Sequence, residues 1–242
     1  RKAFKDKDLE ATKEAHSHEA FDRGHQKGGE YVGDMVYGAL DGIVTTFAIV
    51  AGSAGAGFGA GVILVLGFAN LLADGLSMAV GNYLSMKSEK DYYAKEKQRE
   101  EYEVDNYPQG EVEEVRQIYK RKGFTGQNLE KLVELITSKK TVWVDTMMVD
   151  ELGLLPSNKN PIKAGLFTYV AFLIAGFVPL LIFVIAIFVP VDNAMTFPIA
   201  FVLTFLTIFI VGSLRSVVIN KNWLMAGLEM LLIGGLTALI SF

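Results

Sequence analysis

Long apolar stretches alternate with charged ones along this chain. Residues 164–191 carry no charge over 28 positions, residues 193–214 none over 22, and 222–242 is interrupted only by Glu229. Each stretch is long enough for one membrane-crossing helix of roughly 20 residues. Between Asp41 and Asp74 lie 32 uncharged residues, with Gly52-Ser-Ala-Gly-Ala-Gly-Phe-Gly-Ala-Gly61 in their middle. A Gly-rich turn of about eight residues leaves roughly 12 for each flanking helix, well short of a span. Each helix must therefore continue past its carboxylate, which places Asp41 and Asp74 inside the bilayer.

The pattern predicts an all-α membrane protein with five transmembrane helices, at about 31–51, 58–86, 164–189, 194–214 and 223–242. Four segments follow: a tail (1–30), helices 1–2 (31–86), a charged insert (87–161) and helices 3–5 (162–242). Of the 23 Lys and Arg residues, 7 fall in 1–30, 14 in 87–163 and 2 in the loop from Arg215 to Lys221. The turn near 52–61, the loop around Pro190–Phe197 and the C-terminus carry none. Positive loops stay cytosolic, so the N-terminus and the insert are expected inside and the C-terminus on the far side.

No Gly or Pro occurs from Asn82 to Tyr107, so the second span is expected to run on as one long helix until Pro108-Gln109-Gly110 breaks it. A helix from Glu111 to Lys122 follows, acidic at its start, basic at its end and closed by Gly123. Thr125 or Asn128 caps a third, reaching about Ser138, with Leu129, Leu132, Val133, Leu135 and Ile136 on its apolar side. Thr141 to Leu152 makes a last short helix ending at Gly153. The insert therefore reads as a small all-helical domain.

Composition sharpens this picture. The stretches 31–86 and 162–242 hold only eight of the 50 charged residues: Asp34, Asp41, Asp74, Lys163, Asp192, Arg215, Lys221 and Glu229. A soluble domain does not segregate charge this way. The net charge of −4 argues against a nucleic-acid partner. Without Cys there is no disulfide frame, zinc ribbon, iron–sulfur cluster or thiol nucleophile. The sequence opens on Arg1 rather than Met, so further residues are expected upstream, where a targeting signal would not be seen.

Ionisable groups in hydrocarbon are costly and usually face a pathway or a partner. Glu30, Asp34 and Asp41 fall on one helical stripe, at i, i+4 and i+11. Asn70, Asp74, Met78 and Asn82 recur every four residues on the second helix. The alternative is that these polar groups only bond a neighbouring helix and fix packing. On the stripe of Asp74, Met78 becomes a soft ligand candidate; alone it would be filler. Glu229 fits either a structural hydrogen bond or a proton carrier.

In the insert, Glu100 and Glu103 sit one turn apart, as do Glu111 and Glu114. The two pairs are mirror-symmetric in number about Tyr107. If the chain folds back there, Glu103 faces Glu111 and Glu100 faces Glu114. Four carboxylates so close repel unless a cation sits among them. Equally, Glu111 and Glu114 complement a helix dipole, and Lys95, Lys97 and Arg99 offer ion pairs to the others. Met147, Met148 and Glu151 tilt the balance, because their spacing puts thioethers beside a further carboxylate. Carboxylate with a little soft sulfur suits Fe²⁺ better than Ca²⁺ or Mg²⁺.

His16, His18 and His25 all lie in the tail, so no later helix supplies the Glu-x-x-His pair of a ferritin-like oxidase. No Gly-rich phosphate loop is present, which speaks against ATP-driven transport. Nothing calls for a prosthetic group, and an enzyme is not expected.

Asp41-Gly-Ile-Val-Thr-Thr-Phe-Ala-Ile-Val-Ala-Gly52 and Asn70-Leu-Leu-Ala-Asp-Gly-Leu-Ser-Met-Ala-Val-Gly-Asn-Tyr-Leu-Ser85 strongly resemble the vacuolar iron transporter family. The insert after Lys87-Ser-Glu-Lys resembles the cytosolic metal-binding domain of its plant members. The resemblance covers roughly 31–242. It implies a five-helix homodimer in the vacuolar membrane, with a pathway between protomers, exporting Fe²⁺ from cytosol to vacuole against protons, and with its C-terminus lumenal. Mn²⁺, Co²⁺ and Zn²⁺ are alternative ions, and a membrane-anchored metal sensor or store is an alternative role. Residue by residue it points to Asp41 and Met78 in the pathway, and to Glu100, Glu103, Glu111, Glu114, Met147, Met148 and Glu151 in the insert. Asn82 departs from it, standing where many relatives carry a carboxylate.

Overall fold

The first apolar hairpin turns more tightly than its glycine content suggests. In the computed structural model, which describes residues 29–219 and 222–240, helix α1 (Val32–Gly55) runs on through Gly52 and Gly55. Helix α2 begins at Ala60. The turn is only residues 56–59, closed by Gly57 N–H to Ala54 O (3.0 Å) and Phe58 N–H to Ser53 O (2.9 Å). Gly57 has φ +74°, a conformation that costs glycine nothing. The eight-residue turn that the glycines suggest is thus halved. Fourteen residues still separate Asp41 from the end of α1, short of the roughly 20 that cross a bilayer.

Helix α2 (Ala60–Asn106) is continuous over 47 residues. It is followed by α3 (Pro108–Arg121), α4 (Gly126–Thr137), α5 (Lys140–Thr146), a π turn at Met147–Glu151, α6 (Pro161–Phe188), α7 (Asn193–Ile219) and α8 (Trp223–Ile240). Among the described residues there is no strand. Four helical segments are long and apolar enough to cross a membrane: Gly29–Gly55, Ala60–Asn106, Pro161–Phe188 and Ala194–Ser216. The expected fifth is a shorter apolar segment, Trp223–Leu236, within α8. The tail residues 1–28, with the three histidines, lie outside the described residues.

The chain divides into two units, one of residues up to Ala79 together with those from Lys163 onward, the other Val80–Ile162. In the first, α1 lies backbone-to-backbone on α6. A Cβ at Gly38 would come 2.2 Å from Thr168 O, and one at Gly42 2.4 Å from Phe172 O. Thr168 Oγ1 donates across this crossing to Asp34 O (3.4 Å). Small residues four apart permit such close approach in membranes. Gly42→Ala should cost about 1–3 kcal/mol, as overpacking does, and lower the melting temperature in detergent; Gly52→Ala, with open space around it, serves as the control. Further along α1, Phe47 is fully buried among Phe197, Phe201 and Phe205 of α7, with ring centroids 6.2, 5.9 and 6.3 Å away.

The second unit has its own apolar core. Val104, Val115, Ile118, Leu129, Val133, Ile136, Trp143, Val144, Met147 and Met148 are buried together. On α4 the stripe is narrower than expected: Leu129, Val133 and Ile136 are buried, while Leu135 is exposed, since it falls outside the i, i+4, i+7 set. Thr125 holds the capping position in an extended conformation, with no side-chain cap bond. The last helix does not run unbroken from Thr141 to Leu152. It passes into the π turn after Thr146 and stops at Gly153, φ +68°. Salt bridges Lys97–Asp145 (3.0 Å), Lys140–Asp105 (2.6 Å) and Arg116–Glu130 (3.0 Å) tie the helices at the surface, each worth about 0.2–1 kcal/mol at most.

Candidate metal centre

Pro108 starts α3 immediately after Asn106 ends α2, so the two helices fold back about Tyr107 and face each other. One carboxylate oxygen each from Glu100, Glu103 and Glu111 lies within 4.8 Å of the others. Glu100 and Glu111 are 2% and 4% exposed, and the Oε2 atom of each is buried without a hydrogen-bond partner. A buried acceptor left unbonded costs about 1–3 kcal/mol, so two in one slot leave room for a ligand that supplies positive charge.

The electrostatics agree with the geometry. Burial, and then the charges of Glu151, Glu103 and Glu114 against a lowering by Arg99, push the Glu100 carboxyl up to about 7. Burial and then Glu114, Glu100, Glu103 and Glu151 push Glu111 up to about 7 as well. Glu151 is raised by desolvation first and by Glu114 and Glu103 next. The five carboxylates singled out in the sequence thus act on one another. Met147 and Met148 are fully buried and pack in the apolar core of the same unit.

Arg99 is the resident cation of this group. Its Nε donates to Glu103 Oε1 at 3.1 Å, and its Nη1 lies 3.6 Å from Glu96 Oε2. Lys97, by contrast, is drawn off to Asp145. Glu96, one turn before Glu100 on α2, is also buried; in the sequence nothing separates it from its charged neighbours. A metal placed in the slot would have to compete with Arg99 for Glu103, so Arg99→Gln should tighten Co²⁺ binding severalfold and lower the melting temperature of the metal-free chain. Salt should shrink the difference, since the guanidinium is exposed.

In the other unit Asp41 is half-buried and lines a cavity of about 140 Å³ with Tyr37, Leu40, Val44 and Gly234. Asp74 is near enough that the two charges repel. Thr45 links the two helices: its Oγ1 donates to Asp41 O (2.9 Å) and accepts from Asn70 Nδ2 (3.2 Å). This bridging role has no sequence signal, since Thr45 is one hydroxyl in an apolar run. Met78 is half-buried and packs in part on the apolar cluster of Leu71, Phe172 and Leu180. Asp34 is half-buried and Glu30 exposed, in the turn Gly29–Tyr31 that precedes α1. Glu229 meets Arg215 at 3.0 Å, joining α8 to α7.

A family model described as the VIT family matches residues 32–242. The chain belongs to the VIT family. It is 38% identical over 256 residues to a protein of Toxoplasma gondii named vacuolar iron transporter, covering all of this chain and 85% of that relative. A Plasmodium falciparum protein of the same name is 32% identical, over all of this chain and 92% of the relative. Vacuolar iron transporter 1 of Arabidopsis thaliana is 31% identical, over 90% and 86%. These relatives are named as transporters, not as enzymes. In this VIT-family chain the matched region contains both acidic groups, the carboxylate slot of the 80–162 unit and the Asp41–Asp74 pair.

Proposed function

We propose that the chain is a proton-coupled carrier of Fe²⁺, moving iron from the cytosol into the vacuole, and that its 87–161 insert captures the ion on the cytosolic side. In this reading α8 completes a five-span bundle, with the C-terminus lumenal. The observation that carries transport over mere binding is the pair Asp41 and Asp74. Two carboxylates half-buried in apolar helices are expensive, and an anchor has no use for them. The names of the relatives make iron the first choice of cargo. Carboxylate-rich sites separate Fe²⁺ from Mn²⁺ poorly, so Mn²⁺ is the closest competitor. Uptake of radioactive iron into sealed proteoliposomes tests this. A carrier accumulates iron that only detergent releases; a sensor or store binds a fixed amount and accumulates none.

Asp41, Asp74, Asn70 and Met78 of one protomer fill an octahedral shell poorly, and a two-fold axis doubles the set. The reading therefore includes a homodimer. Gly38 and Gly42, a small pair of the kind that suits such an interface, are occupied by α6 within the protomer. The face of α2 that bears Leu72, Leu76, Ser77, Val80 and Gly81 is exposed and is the surface this reading assigns to pairing. Cysteines placed at Leu76 or Val80 in this otherwise Cys-free chain should cross-link protomers in membranes. Transport by a species that remains monomeric would contradict the dimer.

A further inference from the structure

Asp150, next in sequence to Glu151, is an acidic residue that metal capture does not use. Tyr119 Oη on α3 donates to its Oδ2 at 3.1 Å. Lys122 Nζ, just past the end of α3, lies 2.5 Å from its Oδ1. The same ammonium sits 4.7 Å from the centroid of the Tyr119 ring. Three side chains close on one another, and that of Asp150 is 21% exposed, so this clamp is worth more than an open surface pair.

The clamp grips an unusual piece of backbone. Asp150 belongs to the π turn Met147–Glu151, whose wide turn is closed by Leu152 N–H to Met147 O at 3.1 Å. Such a turn is rare, is frequent at functional sites, and its extra residue shifts the side chains that follow it relative to an α-helix. The turn packs against both arms of the slot, its Met147 and Met148 buried with Val104 of α2 and Val115 of α3, and the residue that follows Asp150 is Glu151, whose charge acts on both Glu100 and Glu111.

We propose that Tyr119 and Lys122, acting through Asp150, are positioning residues: they hold the π turn and so fix where the Glu151 carboxylate meets the slot of Glu100, Glu103 and Glu111. This rests on reading that slot as a metal-capture site. Outer partners of metal ligands act through orientation, and their loss typically weakens binding about 10- to 100-fold.

The test is a double-mutant cycle on the full chain in detergent, with Co²⁺ affinity measured by calorimetry and folding followed by melting temperature. Tyr119→Phe removes one hydroxyl and keeps the ring that packs on Phe124 (6.0 Å), so it reports even if Asp150→Asn folds poorly. Both variants should weaken Co²⁺ binding about tenfold in the wild-type background. In a Glu151→Gln background they should cause no further loss, which a general loosening of the domain would not reproduce. Unchanged affinity in both, or equal losses with and without Glu151, overturns the positioning role alone. A wild-type chain that binds no Co²⁺, or one in which Glu100→Gln has no effect, overturns the capture reading itself.

Discussion

Asp41→Asn is expected to reduce both metal uptake and metal-driven proton movement in proteoliposomes to the protein-free background. Asn matches Asp in shape and keeps a carbonyl oxygen, so α1 and its Thr45–Asn70 link should survive and the variant should assemble normally. What the variant would lose, on the proposed function, is a group able to alternate between binding a proton and binding a dication. A cation lowers the proton affinity of a carboxylate beside it, and burial raises it. In the proposed cycle the site, facing a near-neutral cytosol, would release its proton and take up Fe²⁺. Facing an acidic lumen, it would recover a proton and let the metal go. Met78→Leu gives the complementary result: the proton site remains, and the main loss is preference for softer ions over Mn²⁺. Normal pH-dependent uptake by Asp41→Asn would move the coupling role to Asp74 or Asp34. Glu229 is a weaker alternative, since its carboxylate is engaged by Arg215.

The second large effect is in the insert. Glu100→Gln with Glu111→Gln should abolish measurable Co²⁺ binding by the 80–162 unit, which has its own core, and should reduce transport without eliminating it. In the wild type the binding should depend steeply on acidity. Both carboxyls sit at about 7 in the folded chain against 4.5 for an ordinary glutamate. A dication has to displace whatever protons they hold. Affinity should therefore change little above about pH 7.5 and fall, below about pH 6.5, on the order of tenfold per pH unit for each carboxyl that must lose a proton. Stability of the metal-free unit moves the other way. Folding raises these two values, so it favours the protonated forms. Their contribution is fully present below about pH 4.5 and is lost as pH rises through about 7. Metal added at about pH 7.5 should then raise the melting temperature much more than metal added at about pH 5. A pH-independent affinity would contradict a ligand role for these two carboxyls.

Some of these features are legible in the amino-acid sequence. A run without Gly or Pro from Asn82 to Tyr107 reads as one helix, and α2 extends to Asn106. Pro108 has no N–H to lose at a helix start, so the reversal about Tyr107 follows, and mirror-spaced glutamates on two antiparallel helices must meet. Three of the four mirror-spaced glutamates, Glu100, Glu103 and Glu111, each bring an oxygen within 4.8 Å of the others, and Glu114 stands outside that group. Other features depend on contacts far apart in sequence. Gly52 and Gly55 remain helical because backbone groups in an apolar setting need their internal hydrogen bonds, which leaves a shorter turn than the glycines suggest. The choice of α6 as partner for Gly38 and Gly42, Thr45 as the link to Asn70, and the Arg215–Glu229 pair are all made by neighbours that local pattern does not name. The π turn is invisible for the same reason: its hold on Asp150 comes from Tyr119, 31 residues away.

Exchange of metal for protons is tested most directly by following both ions at once in the same vesicles. Proteoliposomes loaded at acid pH with a trapped pH indicator and placed in neutral buffer without ATP receive Fe²⁺ from outside. Iron should enter and the lumen should turn alkaline in step with it, and an ionophore that collapses the pH gradient should stop accumulation. Iron uptake that proceeds at the same rate with no pH gradient and no proton movement would contradict the account.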